Sequence, residues 1–148
     1  MRGLLNHTLG GALMYIGVNR GETLGEDAGD VVGDDAASAV ERLASANIES
    51  WRSPGALDGE RVYPWATVPA AWGLVINVGE VALHTWDLAQ ATGRPATIDS
   101  GVAQIVYDFY RQIPMDDMRA NGVYGPEFEV AATAPVQDRL LGFLSRRP

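Results

Sequence analysis

The chain carries two histidines, His7 and His84, and the second stands four residues after a glutamate in the stretch GEVALHTWDL. Positions four apart lie on one face of a helix, with their side chains in reach of each other. Glu80 and His84 so placed can grip one metal ion, hydrogen-bond each other, or simply face water. In AWGLVINVGEVALHTWDLAQATG the polar residues Asn77, Glu80, His84 and Asp87 fall at spacings of three, four and three. They therefore share one narrow face, while Trp72, Leu74, Val75, Val78, Val81, Leu83, Trp86 and Leu88 spread around the rest. This could be the solvent side of an amphipathic helix. Against that, the segment has no arginine, and a helix apolar nearly all round is usually buried. A buried ionised carboxylate needs a cation or a hydrogen-bonding histidine beside it. His7, in another apolar segment, extends the set to His, Glu, His. Three protein ligands with one position left open is the arrangement of catalytic zinc, and helix bundles build such sites from facing helices. Spacing alone does not bring His7 to the pair, and E-x-x-x-H by itself is a weak motif.

The elements that must position these residues read as helices. Residues 2–18 have helical apolar spacing, with Leu5, Leu9, Ala12, Leu13 and Ile16 as the expected core face. Gly3, Gly10, Gly11 and Gly17 are costly in a helix and predict a closely packed neighbour there. An acidic, glycine-rich loop follows. Asp34 or Asp35 then caps a second helix to about Trp51, its apolar stripe being Ala37, Val40, Ala44, Ile48 and Trp51. Residues 52–69 read as a loop with an extended piece at 61–63. The longest helix runs from Ala70 to about Thr92 and is closed by Gly93 and Pro95. Asp99 or Ser100 caps a further helix to about Gln112, stopped by Pro114. MDDMRANG reads as a charged loop, and Pro135 opens a last helix through PVQDRLLGFLSRR. The expected fold is a single all-α domain over 1–148, an all-helical bundle with irregular connections.

Composition narrows the partners. The 148 residues carry a net charge of −8, which argues against nucleic acid or an anionic membrane, since both call for a basic surface. Cysteine is absent, so a disulfide framework, a thiolate zinc site and a cysteine nucleophile are excluded. Asn77, Glu80, His84 and Asp87 interrupt the longest apolar stretch, and no signal-peptide pattern opens the chain. The sequence reads as a soluble cytoplasmic protein acting on a small-molecule substrate. GEDAGD lacks the spacing of a phosphate loop, and GETLGEDAGDVVGDD lacks the ligand order of an EF-hand.

Three stretches, LLNHTLGG, GEVALHTWDLAQATGRP and APVQDRLLGFLSRRP, taken in that order, resemble the mycothiol-dependent maleylpyruvate isomerase type of metal-binding protein. That family lies in the DinB/YfiT-like metalloenzyme superfamily and is typical of actinobacteria; WRSPGALDG adds weaker support. The resemblance implies a four-helix bundle of up-down-down-up type holding a divalent metal, zinc or nickel. Carried over by motif, the ligands are His7, Glu80 and His84. The implied activity is that of a metal-dependent thiol transferase or isomerase, with mycothiol or another small thiol as co-substrate. A metal-dependent hydrolase and a non-enzymatic metal-binding or interaction domain are the alternatives. Asn77, Trp86, Asp87 and Arg52 are the substrate-contact candidates; each has a structural alternative, Asp87 as the group that orients His84. Similar proteins have a further helix upstream, ending in W-x-V-R-x-L-L. This chain starts inside the first histidine motif, which implies a late start, a fragment or a second subunit, a homodimer, in that place. The apolar side of the first segment would otherwise be exposed.

Overall fold

The computed structural model describes residues 1–22 and 29–148. The expectations for the acidic loop at positions 23–28 lie outside the described residues. Among the described residues the chain is mostly helical: α1 (Arg2–Asn19), α2 (Ala36–Arg52), α3 (Ala70–Ala91), α4 (Ser100–Tyr110), α5 (Met115–Ala120) and α6 (Val136–Phe143). Two short strands, β1 (Glu60–Val62) and β2 (Thr67–Pro69), pair antiparallel between α2 and α3. None of these helices is long and apolar enough to cross a membrane. Internal packing divides the chain into two compact units, Met1–His84 and Thr85–Pro148, with the boundary inside α3.

In the first unit α1 packs along α2. Leu9, Ile16, Val32, Ala39 and Leu43 form its core, with Leu5 and Leu13 packed against it, as the spacing in α1 predicts. A second cluster joins Tyr15, Val18 and Tyr63, flanked by Met14, Trp51, Val68 and Ile76. The Asp35 side chain accepts from the Ser38 backbone N–H and caps α2. The Ser38 hydroxyl, which donates to the same carboxylate, and then this backbone bond hold the Asp35 carboxyl below its ordinary range. Asn6 ties α1 to the segment before α2. Its side-chain oxygen accepts from the backbone N–H groups of Val31 and Val32, and its amide donates to Asp30.

Of the stripe expected to bury α2, only Trp51 packs inward, against the Tyr15, Val18 and Tyr63 cluster. Ala39, Leu43, Asn47 and Ser50 are buried, whereas Ala37, Val40, Ala44 and Ile48 face solvent. Polar residues occupy an inner face and hydrogen-bond there within the unit, although the side-chain oxygens of Asn47 and Asn19 are buried without a partner. The Ser50 hydroxyl donates to the Asn47 carbonyl and accepts from Asn19, and Asn47 donates to Asn77. Each of these bonds offsets part of the cost of burying a polar group. The glycine expectation also fails at two positions: a Cβ built on Gly3 or Gly11 would meet nothing nearby.

The hairpin extends the predicted piece at 61–63, but its second strand is new. Glu60 faces Pro69, and Val62 faces Thr67. Trp65 in the turn stacks on Tyr63, with ring centroids 4.9 Å apart. The Arg61 guanidinium donates to the carbonyls of Gly55, Ala56, Asp58 and Glu60, and so orders the approach to β1.

In the second unit α4 packs on α6, burying Ala103, Val106 and Tyr110 of the one and Leu140 and Leu141 of the other. Asp99 caps α4 by accepting from the N–H groups of Gly101 and Val102. MDDMRANG is not a loop over its whole length: α5 forms there, anchored by buried Met115. Asp116 and Asp117 lie in its first turn and Arg119 in its last, the order the helix dipole favours. The last helix ends at Phe143, short of the expected span, and Ser145 adopts a positive φ of 68°.

Candidate metal centre

His7 sits in the second turn of α1, and Glu80 and His84 sit in α3 one turn apart. The His84 Nε2 lies 3.1 Å from the Glu80 Oε2, and the His7 Nε2 lies 3.7 Å from the same oxygen. The two imidazole rings meet edge to face, with centroids 4.9 Å apart. One ligand atom from each of the three residues lies within 4.8 Å of the other two. The site is graded in exposure: the His84 side chain is 13% exposed, Glu80 35% and His7 65%. The cluster is therefore anchored on α3 and open on the side of α1.

These separations can be set against a metal's requirements. Nitrogen and oxygen ligands of tetrahedral zinc lie about 2.0–2.2 Å from the ion, which places them roughly 3.3–3.5 Å from one another. The two separations from Glu80, 3.1 and 3.7 Å, bracket that range. Two imidazoles and one carboxylate are also a donor set that suits zinc and its neighbours in the first row.

The other residues expected at the site have different places. Asn77 is buried, and its side-chain oxygen accepts from the Asn47 amide at 2.8 Å and the Trp51 indole N–H at 3.1 Å. It joins α2 to α3 one turn before Glu80, which is a supporting role. Asp87 forms a two-point ion pair with Arg146, whose Nε lies 3.0 Å and whose Nη2 lies 2.8 Å from its two oxygens. Trp86 is buried. Arg52 is exposed in the last turn of α2, where its charge complements the helix C-terminus.

Asn6, Asn47 and Trp51 are the supports that the motif reading missed. A signal for two of them was present: Asn6 directly precedes His7, and Asn47 interrupts an otherwise small and apolar face of α2. No family model, no curated protein and no solved structure matches the chain. The fold and the cluster thus define a mostly helical protein with a His–Glu–His group suited to one divalent ion.

Proposed function

We propose that the chain binds one divalent metal ion, zinc first and nickel second, through His7, Glu80 and His84. We propose further that it does so in a DinB/YfiT-like bundle and serves a thiol-dependent transferase or isomerase. Its co-substrate would be mycothiol or a similar small thiol, and its substrate a small electrophile. The observation that carries the reading is the meeting of His7 with the Glu80–His84 pair, which the sequence leaves open. When bound, such an ion lowers the pKa of a coordinated thiol or water, so that the anionic nucleophile is available near neutral pH.

The chain's own residues supply the rest. Half-buried Glu80 presents one oxygen toward both imidazoles and offsets part of the ion's charge. Exposed His7 marks the side from which cofactor and substrate would enter. The bonds from Asn47 and Trp51 to Asn77 hold α3 against α2 one turn below the ligands, which limits the freedom of Glu80.

The test is elemental analysis of freshly purified protein beside a Glu80→Ala, His84→Ala double variant. About one zinc or nickel per chain is expected in the parent and none in the variant. A folded parent that takes up no metal when it is added back overturns the metal reading. Activity that needs an added thiol favours transfer or isomerisation; activity without one points to hydrolysis.

A further inference from the structure

The apolar stripe of α2 is regular, yet it is exposed. Val40 is 40% and Ile48 51% exposed, with Ala37 and Ala44 open beside them. Their spacing of three, four and four places them in one row along the helix. Exposed rows of this kind mark interaction sites when something complementary exists to cover them. Here the complement is the same helix turned end for end. We propose that α2 is a two-fold interface, packed antiparallel against α2 of a second copy of this chain.

The argument rests on the order of residues along the row. A two-fold axis between Ala44 and Ile48 sets Ala44 against Ile48 of the partner subunit, and the reverse. Ile48, the more exposed of the two large side chains, then faces a small one at the centre of the pairing, which favours close helix packing there. The same axis sets Glu41, at the edge of the row, near Arg52 of the partner subunit, so that two opposite-charge contacts flank the apolar centre. A parallel pairing would instead oppose Glu41 to Glu41 and Arg52 to Arg52. The antiparallel arrangement also places each Asp35-capped N-terminus beside the other helix's C-terminus, which favours the two dipoles. A self-complementary patch is what a closed dimer requires. One helix pair is smaller than a standard stable interface, so the dimer is expected to exchange readily with the monomer over a micromolar concentration series.

Sedimentation equilibrium on the full chain, over a micromolar concentration series, tests this. The mass is expected to rise toward twice that of one chain. Ile48→Glu should raise the dissociation constant at least tenfold while leaving far-ultraviolet circular dichroism unchanged, since the residue lies on the surface. Glu41→Arg and Arg52→Glu should each weaken the dimer, and the two together should restore it. Because the chain has no cysteine, orientation can be read from Ala44→Cys and Ile48→Cys chains mixed under oxidised glutathione. A disulfide between the two variants, in preference to either with itself, supports the antiparallel register. A chain that stays monomeric throughout overturns the proposal. So does an Ile48→Glu protein that dimerises as well as the parent.

Discussion

The Glu80 Oε2 is shared: the Nε2 of His84 lies 3.1 Å from it within α3, and the Nε2 of His7 approaches it from α1 at 3.7 Å. Because the three groups differ in exposure, their removal should be unequal in effect. His84 is the most enclosed, so His84→Ala takes away a ligand held in place before the metal arrives. His7 must be ordered on binding, which costs side-chain entropy. Both substitutions should lower zinc affinity by more than the roughly 10–100-fold typical of a residue that merely supports a ligand, and His84→Ala should lower it further than His7→Ala. Competition with a chromophoric chelator measures both. Equal loss, or a larger one at His7, would contradict the graded site.

The His7, Glu80 and His84 cluster was half legible in the sequence. Four-residue spacing within one helix fixes the Glu80–His84 contact, since any α-helix brings those positions together. The approach of His7 depends on how α1 lies on α3, which no local pattern encodes. The same division holds for the fold. The capping residues Asp35 and Asp99, the spacing in α1 and the span of α3 are local features, and each element formed where it was expected. The buried face of α2 was misread because Asn47 and Ser50 are polar by type. Only their partners, Asn77 and Asn19, make them interior residues. The strand β2 and the helix α5 are short, and their formation rests on pairing with β1 and on the burial of Met115.

Asn77 is placed as a structural support, and this has a measurable consequence. Asn77→Ala would leave the Asn47 amide and the Trp51 indole N–H without their acceptor. Each stranded buried donor costs about 1–3 kcal/mol, so the variant should lose about 3 kcal/mol in urea unfolding. Asn77→Ala protein that keeps its full stability would show that the two donors find other partners, and would return Asn77 to the list of substrate contacts.

Two glycines should respond in opposite directions. Gly11 lies inside α1 with open space where a Cβ would stand, so Gly11→Ala removes the helix cost of glycine and should stabilise by about 0.5–1 kcal/mol. Gly142 in α6 is crowded. An added Cβ would fall 2.5 Å from a Val130 methyl and 2.7 Å from the Phe128 carbonyl oxygen, whose residue also donates its backbone N–H to Gly142. Gly142→Ala should therefore destabilise by about 1–3 kcal/mol through forced displacement. Thermal melts of the two variants beside the parent decide the matter. A stabilised Gly142→Ala would mean that the segment around Phe128 yields easily.

Tyr63 gives the first unit a pH limit on the alkaline side. Its ring is covered by Trp65 and Tyr15, and its buried hydroxyl has no hydrogen-bond partner. Burial disfavours the phenolate and pushes the pKa up from 10.0 to about 12, with the nearby Arg61 charge pulling only weakly the other way. The folded value lies above the unfolded one, so the contribution to stability is complete below pH 10 and is lost as the pH rises toward 12. Absorbance titration of the phenolate should show one of the five tyrosines ionising near pH 12, or together with unfolding. A Tyr63→Phe variant should lose that late step and keep or gain stability at neutral pH, because an unpaired buried hydroxyl is removed at nearly constant shape. Loss of stability in Tyr63→Phe would show that the hydroxyl holds a bond in solution, and the late ionisation would then need another source.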